Sequence, residues 1–186
     1  MNSTRVSSLR SFDRVFLTSI ACSRTPACTL MTILDLIHPD TVKAPLESAD
    51  KKGAICELID LLAAAGKVRD AGELKRVVWE REQQRSTGIG EGLAIPHGKS
   101  GTVRELVMAI GRPHEPIEFD AIDRKPVRLI VLLASPPEKT SDHIQALGKI
   151  SRLMSKVEFR EAAYAAESGK DLLALFEEAE KAVAAR

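Results

Sequence analysis

A glycine-rich segment that ends at a histidine is the part of this sequence best suited to chemistry. Its residues run Ser86, Thr87, Gly88, Ile89, Gly90, Glu91, Gly92, Leu93, Ala94, Ile95, Pro96, His97 and Gly98. Pro96 pushes Ile95 towards an extended conformation, so His97 follows a short and stiff apolar strand. A neutral imidazole can accept a phosphoryl group on nitrogen near pH 7. His97 is therefore the candidate nucleophile, and a turn histidine without chemistry is the competing interpretation.

The glycines around this histidine predict a loop whose backbone N–H groups can approach an anion closely. The residues that we assign to this phosphate loop are Ser86, Thr87, Gly88, Gly90, Gly92 and Gly98. Two nucleotide-binding motifs fit the segment less well. A P-loop has four residues between its first glycine and Gly-Lys-Ser, whereas five residues separate Gly92 from Gly98 here. A dinucleotide fingerprint has the spacing G-x-G-x-x-G after a strand, and here the spacing is G-x-G-x-G after a predicted helix.

Two polar residues continue the apolar faces of predicted helices. Arg81 follows Val77 and Val78 at helical spacing, at the end of one apolar stripe, and His143 precedes Leu147 in the same way in a later helix. A cation and an imidazole that point inwards at such positions would suit a dianionic phosphoryl group on a neighbouring histidine. The alternative is structural: Arg81 would extend to solvent from the helix end, and His143 would cap a first turn.

The order of the predicted elements indicates the fold class. Hydrophobic spacing and capping residues predict helices over 48–65, 70–84, 157–166 and 171–184, and a further helix that begins at Thr140 or Ser141 and includes Met154. Apolar runs predict strands over 93–95, 106–110 and 127–134, and the last ends at a Pro-Pro pair. We therefore expect a single α/β domain, in which a small mixed sheet is flanked by helices on both faces.

The composition excludes several classes of function. The 186 residues include 27 Lys and Arg and 26 Asp and Glu, so the net charge of +1 argues against a nucleic-acid-binding protein. Aromatic residues make up only 4%, which disfavours stacking platforms for single strands. The sequence has no run of eighteen apolar residues, so we expect no membrane insertion.

The first thirty residues differ from the rest of the chain. They contain four arginines, ten Ser or Thr residues, one acidic residue and two of the three cysteines. We expect residues 1–30 to be an extension that is disordered or comes from a start assigned too early, with a targeting peptide as the alternative. Residues 31–186 would then form the domain. The remaining Cys56 offers no disulfide framework or CxxC metal site, which fits a cytoplasmic location.

The glycine-rich segment and its surroundings resemble the fructose/mannitol-type EIIA domain of the bacterial phosphoenolpyruvate-dependent phosphotransferase system, and most of all its stand-alone nitrogen-regulatory branch. The similarity runs from about Met31 to the C-terminus and is carried by Trp79–Glu82, Ser86–Lys99, Pro116–Ala121 and His143 in its helix. The Ile-Gly-x-Gly-x-Ala-Ile-Pro-His core is specific, unlike a glycine triplet alone. The resemblance implies that His97 is phosphorylated and that Arg81 and His143 support it.

The same resemblance implies the partners. The donor would be a phosphorylated HPr-like carrier protein, and the chain would be a phosphotransferase-type histidine carrier that needs no metal, nucleotide or other cofactor. Its phosphorylation state would regulate partner proteins. The resemblance to the nitrogen branch implies potassium transporters and sensor kinases as such partners. The first alternative is a sugar-specific EIIA that passes the phosphoryl group to a separate EIIB. The others are a metal-dependent enzyme that uses His97, His114 and His143, and a nucleotide-binding enzyme built on the glycine loop.

Overall fold

Five helices surround one mixed six-stranded sheet in the computed structural model of the protein, which describes residues 31–184. The strands are β1 (Val42–Leu46), β2 (Gly88–Gly90), β3 (Leu93–Ala94), β4 (His97–Lys99), β5 (Val107–Pro113) and β6 (Leu129–Ser135). The helices are α1 (Lys51–Ala64), α2 (Ala71–Gln84), α3 (Thr140–Met154), α4 (Val157–Ala165) and α5 (Gly169–Ala184). None of the helices in this part of the chain has the length and hydropathy needed to cross a membrane. The predictions for residues 1–30 lie outside the described residues.

Strand β6 is the centre of the sheet. It pairs antiparallel with β5 on one side, and β5 pairs in parallel with β1 at the edge. On its other side β6 pairs in parallel with β3 and then with β4, where His97 lies opposite Leu133 and Lys99 lies opposite Ser135. The Ile95–Pro96 step separates β3 from β4. This register places His97 beside the C-terminal half of β6, directly before α3.

The helices pack on both faces of the sheet, as the sequence predicts. Side chains along β6 alternate: Leu129, Val131 and Leu133 belong to the core with α3, α4 and α5. Ile130 and Leu132 belong to a second core with α1 and α2. Because both faces are covered, β5 and β6 are apolar at almost every position. The continuous apolar runs of the sequence therefore come from burial on two sides.

The start of α2 is predicted well, because a carboxylate caps it. The Asp70 side chain accepts a hydrogen bond from the Glu73 N–H at the start of α2, which ends at Gln84 as predicted. The prediction of a cap at Thr140 or Ser141 is wrong, because Lys139 occupies the cap position of α3 without a side-chain hydrogen bond. The Thr140 hydroxyl instead donates to the Pro137 carbonyl.

Three strands were not predicted, β1, β2 and the short β4 that follows β3. Pro45 interrupts the strand pattern of β1, but β1 lies at the sheet edge, where a missing backbone donor is tolerated. Strand β2 lies in the segment predicted as a loop. It needs glycine, because a Cβ atom on Gly88 would lie 2.8 Å from the Cα atom of Ala121. This close contact anchors the glycine-rich segment to the connection between β5 and β6.

Candidate functional site

The candidate site is an open groove of about 310 Å³ beside β4, between the end of α2 and α3. Its lining includes Arg81, Ser86, His97, Ile122 and Leu147. His97 is half-buried in the groove, at the start of β4. Strand β4 pairs with the C-terminal half of β6, and the chain continues from that end of β6 into α3. The groove therefore lies at this end of the strands.

The backbone sets the tautomer of His97. Its Nδ1 atom lies 2.8 Å from the Ile95 carbonyl oxygen, which can only accept a hydrogen bond, so Nδ1 carries the proton and Nε2 keeps the lone pair. Burial lowers the pKa of His97, and the positive charges of Arg81 and Lys99 lower it further. The Ile95 hydrogen bond and the Glu82 charge act in the opposite direction. The ring is consequently neutral near pH 7, with a nucleophilic Nε2 atom.

His143 lies next to His97 in the first turn of α3. The ring centroids are 5.5 Å apart with an interplanar angle of 64°, so the two imidazoles meet edge to face. Burial, together with the nearby His97 and Lys99, lowers the pKa of His143 to about 4. Its Nδ1 atom is 2.8 Å from the hydroxyl oxygen of Ser135. His143 is therefore a neutral ring at physiological pH.

Arg81 completes the group of residues predicted from the sequence. Its Nη1 atom donates to the Arg85 carbonyl at 2.9 Å, which holds the guanidinium across the end of α2 in the same groove as His97. Gly98 allows α2 to lie this close to β4, because a Cβ atom at Gly98 would be only 2.9 Å from Val78 Cγ2. The absence of a side chain on Gly98 thus lets α2 pack directly against β4.

The glycine-rich segment forms a turn that leads into β3. Ser86 and Thr87 line the groove with His97, whereas Gly88, Gly90, Gly92 and Gly98 do not. The φ angle is +95° at Gly90 and +79° at Gly92, and the turn lies against Asp123 and Tyr164. The Asp123 carboxylate accepts the Glu91 N–H at 2.8 Å. Gly90 and Gly92 therefore shape the turn that leads into β3, and the assignment of the segment as a phosphate loop stays a prediction.

Glu82 is a residue of the site region to which the sequence analysis gave no role. It is 3% exposed, its Oε1 atom is 2.7 Å from Lys51 Nζ, and both carboxylate oxygens accept the Thr87 N–H at 3.1 Å. The network joins the start of α1, the end of α2 and the groove wall. One signal was present: Glu82 continues the stripe of Leu74 and Val78 at a spacing of four residues.

Replacing Glu82 by glutamine is expected to destabilise the protein by about 3 kcal/mol, because it removes the negative charge that faces the largely buried Lys51 ammonium and replaces one acceptor oxygen by an NH2 donor. Urea unfolding gives the free energy. Asp60→Asn is the matched control, since it breaks the more exposed pair with Lys75. An equal, small loss in both variants would contradict a structural role for the Glu82 network.

The lowered histidine pKa values predict a pH dependence of stability. The pKa of His143 is 6.5 in the unfolded chain and about 4 in the folded protein, so the unfolded chain binds more protons between these values. The free energy of unfolding should fall as the pH decreases from 6.5 towards 4. Urea unfolding at pH 7 and pH 5 measures this fall, and His143→Gln should reduce it. The same pH dependence in both proteins would contradict the prediction.

His114 does not join the other two histidines. It follows β5, which runs antiparallel to β6 with Val107 opposite Ala134. The end of β5 therefore lies at the opposite end of the sheet from His97 and His143. Within residues 31–184, no group of three His, Cys, Asp or Glu residues is placed to hold a metal ion. The site therefore has one neutral imidazole and a guanidinium in the groove, with the buried imidazole of His143 next to the first.

Comparisons with known proteins identify relatives of this chain. A nitrogen regulatory protein of Bradyrhizobium diazoefficiens is 36% identical over 128 residues, which cover 67% of this chain and 80% of that protein. The fructose-specific EIIABC component of Bacillus subtilis is 33% identical over 151 residues, or 81% of this chain, and the chain spans only 24% of that protein. The crystal structure of the nitrogen regulatory protein IIA-Ntr from Neisseria meningitidis matches with a TM-score of 0.72 and 30% identity, covering 77% of this chain and 98% of that chain.

The family model described as phosphoenolpyruvate-dependent sugar phosphotransferase system, EIIA 2, matches residues 35–179. This range includes the whole groove and all elements from β1 to most of α5. The chain therefore belongs to the type 2 EIIA family of the phosphoenolpyruvate-dependent phosphotransferase system.

Proposed function

We propose that His97 accepts a phosphoryl group from a phosphohistidine on an HPr-like carrier protein, and that the phosphorylated and free forms act differently on regulatory partners. The observation that carries this proposal is the tautomer of the His97 ring and its place in the groove. Its Nδ1 atom is bound to the Ile95 carbonyl, and its Nε2 lone pair is left for a groove that also contains Arg81. Neighbouring His143 supplies a second neutral ring.

The transfer balances as an exchange between two imidazoles. The His97 Nε2 lone pair forms the new N–P bond, while the N–P bond of the donor breaks and its electron pair returns to the donor imidazole. Positive charge then develops on the His97 ring, and the Nδ1–H···O=C bond to Ile95 stabilises it. No nucleotide or metal is needed, because the phosphohistidine donor is already activated. Phosphoryl transfer depends mainly on positioning and on charge stabilisation.

The groove supplies that charge stabilisation. The Arg81 guanidinium has donors beyond the one that binds the Arg85 carbonyl, and their planar geometry matches phosphoryl oxygens. A phosphoryl group brings nearly two negative charges to a region where Arg81 and Lys99 are the charged neighbours that lower the His97 pKa. These positive charges favour the phosphorylated form.

An apolar rim around the groove supports docking of a protein donor. Ile89 and Ile122 line the groove and are 44% and 69% exposed, and Ile144, next to His143, is 63% exposed. Large exposed aliphatic side chains at the edge of a reactive groove favour a protein–protein contact. A carrier that presents its phosphohistidine at the centre of an apolar contact surface would fit this rim.

The regulatory role is favoured over sugar transport by two similarities. The Bradyrhizobium relative is named a nitrogen regulatory protein, and the Neisseria structure is an IIA-Ntr that this chain covers over 98% of its length. We propose regulatory partners such as potassium transporters and sensor kinases, and a cytoplasmic place for the reaction. The fructose-specific similarity favours the second candidate, in which His97 passes its phosphoryl group to a separate EIIB.

Incubation with phosphoenolpyruvate, EI and either HPr or its nitrogen-branch paralogue tests the proposal. We expect one acid-labile phosphoryl group on the His97 peptide, located by mass spectrometry at neutral to basic pH. Addition of a fructose-type EIIB then separates the two candidates, because rapid loss of the label to EIIB supports the sugar role and retention supports the regulatory role. No label from either carrier would overturn the proposal.

A further inference from the structure

Ser135 is the last residue of β6, and its hydroxyl contacts the His143 ring inside the protein. The Ser135 Oγ atom is 2.8 Å from His143 Nδ1, and Ser135 has no exposed surface while His143 is 3% exposed. In the pairing of β4 with β6, Ser135 lies opposite Lys99, which is two residues after His97 on β4. The transfer described above assigns no part to this serine.

The direction of this hydrogen bond follows from its surroundings. Within residues 31–184, His143 Nδ1 is the hydrogen-bond partner found for Ser135 Oγ. A buried O–H without an acceptor is penalised more heavily than an unused oxygen lone pair, so the hydroxyl donates to Nδ1. Burial keeps the His143 ring neutral, and a neutral ring carries one proton. That proton is therefore on Nε2.

The tautomer of His143 matters because a phosphoryl group on His97 would place a dianion close to the His143 ring. With the proton on Nε2, the ring edge away from Ser135 is a hydrogen-bond donor, and the centroids of the His143 and His97 rings are 5.5 Å apart. In the other tautomer a lone pair would occupy this edge and repel a phosphoryl oxygen. We propose that Ser135 is a positioning residue that holds His143 as the Nε2–H tautomer, so that His143 donates to the phosphoryl group in transit at His97. This inference rests on the proposed function.

Histidine ¹⁵N NMR of the unphosphorylated full-length protein tests the hydrogen bond directly. We expect wild-type His143 to show a protonated Nε2 and an unprotonated Nδ1, and Ser135→Ala to produce a measurable Nδ1–H population. Transfer from the phosphorylated carrier should become about 3- to 10-fold slower in kcat, with KM nearly unchanged, which is the range expected for one neutral hydrogen bond.

Two further variants separate positioning from a general packing defect. Ser100→Ala also removes a buried hydroxyl near the end of β4, but that hydroxyl bonds to Thr102 and leaves His143 untouched. It should change neither the tautomer nor kcat. In a His143→Gln background the amide supplies its own N–H donor, so adding Ser135→Ala should cause no further loss.

The outcomes are distinct. A wild-type His143 that is protonated on Nδ1 overturns the role of Ser135, as does a Ser135→Ala variant with unchanged tautomer and kcat while wild-type His97 is labelled normally. Failure of wild-type His97 to take any label instead refutes the proposed function, and with it the positioning role, even where the NMR spectra show the Ser135–His143 bond.

Discussion

The His97→Ala variant should take up no phosphoryl group from a phosphorylated HPr-like carrier and should remain folded. The substitution removes the Nε2 lone pair that would form the N–P bond. The structural loss is small, because the His97 ring is half-buried and its hydrogen-bond partner is the Ile95 carbonyl. Intact mass spectrometry at basic pH measures the label, and circular dichroism with urea unfolding measures the fold.

His114→Ala is the matched control for that experiment. The His114 side chain is 75% exposed and follows the far end of β5, so its loss should leave both labelling and stability unchanged. A label that persists in His97→Ala, or disappears equally in His114→Ala, would contradict the assignment of His97. A variant that is unfolded as well as unlabelled would show that His97 supports the structure instead.

The positions of the site residues could be predicted because each lies at the end of an element with a strong sequence signal. Asp70 caps α2, and Arg81 lies in the last turn of that helix. The buried stripe of α2 ends at Glu82, and Arg81 is half-exposed beside it. Continuous apolar runs identify β5 and β6, and the Pro-Pro pair after β6 fixes where α3 can begin. Local rules therefore place His143 just after β6, whereas His97 comes beside the C-terminal half of β6 only through the pairing of β4 with β6, which local rules do not give.

Other features depend on contacts between elements, which spacing does not specify. The helix stripe shows that Glu82 faces inwards, but its partner Lys51 comes from another helix. The glycine pattern predicts backbone freedom, and Gly90 and Gly92 use it at positive φ angles. At Gly98 and Gly88 the reason is close packing instead, against Val78 and Ala121 respectively. A short edge strand such as β1, with a proline inside it, has too weak a pattern to be identified before its neighbour β5 is known.

Replacing Arg81 by alanine should lower kcat/KM for phosphoryl transfer about 100-fold, a typical cost of losing one preorganised donor from a site of charge development. Stability should change little, since Arg81 is half-exposed and its hydrogen bond to the Arg85 carbonyl lies at the end of α2. Arg81→Lys should recover part of the rate, because an ammonium keeps the charge but loses the planar pair of donors. Quenched-flow transfer from the phosphorylated carrier measures all three proteins.

The Arg85→Ala variant decides whether the slower transfer in Arg81→Ala comes from the position of the Arg81 guanidinium or only from its charge. Arg85 lines the same groove and is exposed, and the Arg81 guanidinium binds its backbone carbonyl, which the substitution leaves in place. If a positioned guanidinium beside His97 is needed, Arg85→Ala should slow transfer only a few-fold, about the effect of a long-range charge. Equal losses in the two variants would mean that the groove acts only through its total positive charge, and Arg81 would then have no specific part in the transfer.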